Sequence, residues 1–297
     1  MTAPRSDSAN YYRLHSAWVI AKRKTKETWY APGIYISATA GLLLAYLTVS
    51  SYTKSIGSGG FDSSLNPVFD LLAGLLIGAF GESFFLNFFS EGPFLFALII
   101  AFIPVLMHLT ISSVFRFGLE KNVGALRLIA FGPADGTSYI IGSMLKDVFF
   151  YSLYLVVLTC FFLLGAVTNN LLLGPKFYYA LLTIFSFALC ISAYGIMASV
   201  LTSNSGSAVA LFSTALLVFA LVNLGTFVNV QGYIRDLSST VSMIIKWISP
   251  FFFWQWAMKA VDASSAGQFV LALCGMLLVS LVLVFASHLS QRYREAD

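Results

Sequence analysis

Charge is what this sequence has least of: 10% of its 297 residues are Asp, Glu, Lys or Arg, where a soluble domain carries roughly 25%. That scarcity excludes an ordinary water-facing surface. Cysteine is rarer still. The three present, Cys160, Cys190 and Cys274, all lie inside apolar runs, which argues against a disulfide framework and a zinc site. His15, His108 and His288 are far apart and stand in no ligand spacing, so no metal site is expected. A phosphate-binding lysine is also missing. Gly132-Pro-Ala-Asp-Gly136-Thr-Ser has the glycine spacing of a phosphate loop without its lysine, and no G-x-x-x-x-G-K-S/T occurs elsewhere. The chain is therefore not expected to bind ATP itself. No serine-hydrolase G-x-S-x-G is present either, and nothing marks an enzyme.

Apolar residues fill the space that charge leaves, at 58% of the chain with a mean hydropathy of +0.83. A bilayer core needs roughly 20 apolar residues per helix. Six runs meet that length, at about 33–53, 94–115, 138–166, 177–202, 207–228 and 267–288. The reading is an all-α polytopic membrane protein, residues 1–297 forming one transmembrane domain. The short Ser203–Gly206 link suits an antiparallel pair, and Gly174-Pro175 separates the third run from the fourth. No cleavable signal peptide is expected, since the first apolar run begins only near Gly33.

Residues 54–93 and 229–266 do not fit as spans. Leu71–Phe80 is apolar but too short to cross, and Gly74 and Gly78 form a weak helix-contact motif within it. A short re-entrant or interfacial helix is expected there. The second segment ends in Pro250-Phe-Phe-Phe-Trp-Gln-Trp256, an aromatic block suited to a membrane–water boundary. With six spans and both termini inside, twelve cationic residues lie on the inner side: Arg5, Arg13, Lys22, Arg23, Lys24, Lys26, Arg116, Lys121, Arg127, Lys146, Arg292 and Arg294. Five lie outside, Lys54, Lys176, Arg235, Lys246 and Lys259. Cytoplasmic loops carry the excess of Lys and Arg, so the net charge of +4 speaks to topology and not to nucleic acid.

Ahead of the first run, residues 10–30 read as an amphipathic helix. Tyr11, Leu14, Trp18, Ala21 and Trp29 share a face, with Arg13, Arg23 and Lys24 directed away from it. Such a helix lies in the interface with its basic side on anionic headgroups. Within the spans, buried polar groups are the functional candidates, because each is costly in lipid. His108, Thr110 and Ser112 lie on the second span and Asn223 on the fifth. Lys146 and Asp147, near the cytoplasmic end of the third, are expected to snorkel to the interface without a transport role.

One polar island, Phe115–Asp147, interrupts the apolar pattern on the inner side. Leu119, Val123, Leu126 and Ala130 fall at helical spacing, with Lys121, Gly124 and Leu128 opposite. Glu120-Lys121, Gly124, Leu126, Leu128, Pro133 and Tyr139-Ile140-Ile141-Gly142 resemble the signature of the ABC type-2 permease family. Ser143 stands where that family usually has Lys, and Lys146 follows a turn later. The resemblance implies a permease subunit of an ATP-binding-cassette exporter in the cell (inner) membrane. It implies a cytoplasmic coupling helix in which Glu120, Lys121, Gly124, Arg127, Leu128 and Pro133 meet a separate ATPase that carries ATP and Mg. It further implies pairing with a second copy or a homologous permease, an in-plane elbow helix at residues 10–30, and short helices dipping into the outer leaflet between the last two spans. A translocation path past His108, Ser112 and Asn223 would follow the two-fold axis. Two alternatives stand beside it: a non-transporting membrane assembly or signalling protein, and a secondary transporter, which requires paired embedded charges or an internal repeat.

Overall fold

A computed structural model describes residues 6–57, 93–122, 136–224 and 239–296, and all the regular structure in them is helical. In chain order the helices are α1 (Ser6–Trp29), α2 (Pro32–Gly57), α3 (Pro93–Asn122), α4 (Gly136–Thr168), α5 (Pro175–Leu201), α6 (Ser205–Leu224), α7 (Ser239–Ile248), α8 (Pro250–Asp262) and α9 (Ala266–Ala296). Five of them, α2, α3, α4, α5 and α9, are long and apolar enough to cross a membrane. This is a multi-pass, all-helical membrane protein. The run expected at 207–228 is a shorter case: its apolar helical stretch covers Ser205–Ala220. The short helix expected within 54–93 and most of the coupling helix lie outside the described residues.

In lipid, apolar side chains gain little by leaving solvent, so close backbone approach and hydrogen bonds between helices hold the bundle together. The sequence supplies small residues where helices cross. α2 and α3 run antiparallel, with a Cβ on Gly41 falling 2.3 Å from the Ala101 carbonyl oxygen. Only glycine admits that approach. Pro104 removes one donor from the ladder of α3, and the Tyr154 hydroxyl donates to the nearby Ala101 carbonyl at 3.0 Å. α3 and α5 are the inner pillars: 67% of each apolar window is buried, against 22% for α9.

α1 packs against α4, and the Leu14–Trp18 flank expected at the interface faces outward. Ser138 Oγ donates to the Arg13 carbonyl at 3.2 Å, Gly142 packs under Ala17 and Ile20, and the Trp29 ring lies 6.2 Å from Phe150. α1 thus runs alongside the first half of α4, in the same direction. Ala17, Ala21 and Thr28 form its buried face, while Leu14, Trp18 and Trp29 are exposed. Lys24, expected to project away, is turned in over the Tyr139 ring. The reason is steric: Ala17 and Ala21 against Gly142 allow an approach that the Leu14–Trp18 flank does not.

Between α6 and α9 the aromatic block folds as a helical hairpin. Asp262, at the end of α8, accepts a 2.9 Å contact from Lys176 at the start of α5. Phe187 meets Phe251 and Trp254, each at 5.3 Å between ring centres. At the hairpin corner, Tyr194 donates to the Ile248 carbonyl at 2.6 Å. From Lys176 to Tyr194 a helix rises about 27 Å at 1.5 Å per residue. α7 and α8 therefore meet deep along α5, and α8 returns to the end of the bundle, packing Phe253, Ala257 and Ala260 against α9.

Candidate functional site

The densest polar chemistry in the described bundle sits where α3, α4 and α5 meet. Lys146 and Asp147 are 5% and 0% exposed, with Nζ 2.7 Å from Oδ1. Adjacent residues on a helix do not face one another, so the flexible lysine stem bends back and α3 closes the gap. Lys146 Nζ donates to Ser113 Oγ at 2.6 Å, and Ser113 Oγ in turn donates to Asp147 Oδ1 at 3.2 Å. The result is a three-membered ring of charge-assisted bonds.

One turn further along α4, Tyr151 bonds Thr110 of α3 at 3.0 Å and Ser192 of α5 at 2.9 Å. These two sets of bonds join three helices through five buried polar side chains and one aspartate. Taking two charges out of water costs several kcal/mol per ion in real proteins, and mutual attraction repays it only when geometry and further hydrogen bonds are good. Here the serine supplies the further bonds. Snorkelling is thus corrected: the pair points into the bundle, and a buried ion pair in a membrane helix is a functional candidate by its cost alone.

A second cluster lies toward the α3 C-terminus. Lys24 places Nζ 3.4 Å from the centre of the Tyr139 ring. Burial pushes its ammonium down to about 7, opposed in first place by Glu120. The Tyr139 hydroxyl is buried with no hydrogen-bond partner among the described residues. Arg23 and Glu27 pair at 2.8 Å along α1, and Glu27 reaches Arg116 of α3 at 3.6 Å. Beside them, Lys121 Nζ donates to the carbonyls of Val200 and Thr202. It thereby satisfies carbonyls that the C-terminus of α5 leaves open, with the charge sign the helix dipole favours there.

The residues expected from sequence divide clearly. Glu120 and Lys121 stand in the last turn of α3 and are half-buried, turned toward α1 and α5, while Leu119 is 47% exposed. Gly124, Arg127, Leu128 and Pro133 lie outside the described residues. His108 packs its ring on Gly33 of α2, where a Cβ would fall 2.4 Å from Cε1. Ser112 shares that side of α3, one turn on, and is half-buried. Neither joins the polar network, which uses Thr110 and Ser113 on the adjacent face. Asn223 stands in α6 near its end, in a stretch whose side chains are not described. Sequence reasoning missed Ser113, Tyr151 and Ser192. The available signal was Lys146-Asp147 some ten residues into α4, too deep for a helix end.

No group of three or more metal-ligating side chains occurs among the described residues. Compared with known proteins, the chain matches no family model, and neither a curated protein nor a solved structure is similar to it.

Proposed function

We propose that this chain is the membrane-spanning permease subunit of an ATP-binding-cassette exporter. The observation that carries the reading is the Glu120–Gly142 signature, which bridges the end of α3 and the start of α4 in an all-helical multi-pass bundle. Supporting it are the N-terminal helix along α4 and the helical hairpin of α7 and α8 that dips beside α5. In this reading a separate ATPase carries ATP and Mg and docks at residues 120–133. A second copy or a homologous permease completes the pathway, and both termini are cytoplasmic at the inner membrane. Closing of the ATPases rocks the helices between inward- and outward-facing states. The apolar, aromatic character points to an amphipathic or lipid-linked cargo.

The test is co-purification. A P-loop ATPase should accompany the chain from its native membrane, and Leu128→Asp should release it. Burying a leucine in a partner is worth roughly 1.5–3 kcal/mol, so docking should weaken more than about tenfold. An intact complex with Leu128→Asp, or no ATPase in the first place, overturns the proposal.

One observation favours a second reading, a secondary transporter. That reading predicts paired embedded charges or an internal repeat, and Lys146–Asp147 is such a pair. It predicts uptake into vesicles that is driven by an ion gradient and indifferent to ATP.

A further inference from the structure

Three sides of α8 carry apolar packing, and the fourth is polar. Phe251 and Trp254 meet Phe187 of α5. Phe253, Ala257 and Ala260 pack on α9, and a Cβ on Gly275 of α9 would fall 2.3 Å from the Phe253 ring. Phe252 and Trp256 face Trp247 of α7, at 5.5 and 6.2 Å between ring centres. What remains is Gln255, Lys259 and Asp262, one stripe at helical spacing. Asp262 is taken by Lys176. The Gln255 amide and the Lys259 ammonium have no hydrogen bond or ion pair with a described residue.

Lys246 adds a second such cation at the hairpin corner. Its carbonyl accepts a 3.1 Å bond from the Ser249 amide in the turn between α7 and α8. Two residues on is the Ile248 carbonyl that Tyr194 holds. The side chain is half-buried and has no acidic partner among the described residues. Gln255 and Lys259 follow Phe252 at i+3 and i+7, so their stripe borders the side where Phe252 meets Trp247, the residue after Lys246. From Asp262 the helix descends about 10 Å to Gln255 and about 18 Å to Pro250. The polar stripe therefore enters from the bundle end opposite Lys121 and leads down toward the hairpin corner.

Hydrocarbon solvates neither an ammonium nor an unspent amide, and an ionisable group within a membrane protein marks a site whose partner must be named. Two cations beside a carboxylate that is already taken call for an anion. The anion a bilayer supplies is the phosphate of an amphiphile. Ile244 and Trp247, 54% and 50% exposed on the same hairpin, give the tail of such a molecule an apolar surface. We infer that the α7–α8 hairpin binds the phosphate group of a bilayer amphiphile through Lys246, Gln255 and Lys259, with the tail against Ile244 and Trp247. This inference depends on the helical fold and not on the exporter reading.

The test titrates the full chain in dodecyl maltoside with dioctanoyl phosphatidylglycerol, read by calorimetry. Lys246→Gln and Lys259→Gln should each weaken binding about tenfold, the loss of one charge-assisted hydrogen bond. Lys246→Arg and Lys259→Arg should retain it, which separates lost charge from lost fold. Lys22→Gln, on the exposed side of α1, should change nothing. Dioctanoylglycerol, without the phosphate, and inorganic phosphate, without the tail, should both bind far more weakly than the lipid. Equal binding of dioctanoylglycerol means an apolar surface only and overturns the inference. Inorganic phosphate binding as tightly as the lipid removes the amphiphile as its source. Binding that survives both glutamine variants and is lost in Lys22→Gln assigns the phosphate to α1 and overturns it too. So does a carbodiimide crosslink joining Lys246 or Lys259 to an acid within residues 58–92 or 225–238, since the cation is then already paired within the chain. No ATPase enters the measurement, so the exporter reading is judged separately.

Discussion

The Lys24 ammonium sits 3.4 Å over the Tyr139 ring, so the helix ahead of the first span is pinned to α4 through a half-buried cation. Attraction to an aromatic face returns about 0.5–2 kcal/mol, less than full loss of hydration costs an ammonium. Hence burial drives Lys24 from its ordinary 10.5 down to about 7, against the pull of Glu120.

The first prediction follows from that sign. With its folded value below its unfolded one, Lys24 is more protonated in the unfolded state between pH about 7 and 10.5. Docking of α1 should therefore strengthen as pH rises through that window, and below it the burial penalty is complete. Thermal unfolding in detergent should show Tm rising from pH 7 to pH 9. Lys24→Met should raise Tm at pH 7 and flatten the slope; an unchanged slope in the variant assigns the effect to another group.

Asp147 is the second target. Asp147→Asn leaves Lys146 buried beside a neutral group, and breaking a buried pair costs about 3–5 kcal/mol. Folded yield and Tm should fall sharply. The double change Lys146→Met with Asp147→Leu removes both charges and should recover most of the stability. Under the proposed transporter reading, normal transport by the recovered protein makes the pair structural, and folding without transport places it in the transport cycle.

Tyr194 tests the hairpin. Its 2.6 Å bond to the Ile248 carbonyl holds the corner of α7 and α8 against α5. Tyr194→Phe should cost about 0.5–1.5 kcal/mol and raise amide exchange in Ile248–Phe252 without altering exchange in α3. Exchange that rises uniformly across the bundle, or not at all, contradicts the anchoring role.

Orientation is tested with single cysteines in a background lacking Cys160, Cys190 and Cys274. Asn170 and Arg13 are both exposed, near opposite ends of α4, since the Arg13 carbonyl meets Ser138 at its start. An impermeant maleimide applied to intact cells should label Asn170→Cys and reach Arg13→Cys only after permeabilisation. The reverse pattern puts Glu120 on the outer side and removes the surface on which an ATPase would dock.

Composition by itself determined that this is a multi-pass helical membrane protein, because runs of about 20 apolar residues have no other stable disposition. The positions of α2, α3, α4, α5 and α9 were legible for the same reason, as was Pro175 at a helix start. Which way each side chain turns was not. Leu14 and Trp18 read as an interfacial face and are outermost, whereas Ala21, read on that same face, is buried and Lys24, read as directed away, is turned onto Tyr139. Around a membrane bundle the outermost surface is also apolar. The periodicity therefore does not distinguish lipid from neighbouring helix. Small residues decide that instead: Ala17 meets Gly142 and Gly41 meets Ala101, and those contacts exist only once the helices are placed side by side. Lys146 and Asp147 show the same limit. The sequence fixes their depth in α4, but Ser113, thirty-three positions earlier for Lys146, turns two costly charges into a closed ring, and only tertiary packing brings that hydroxyl across.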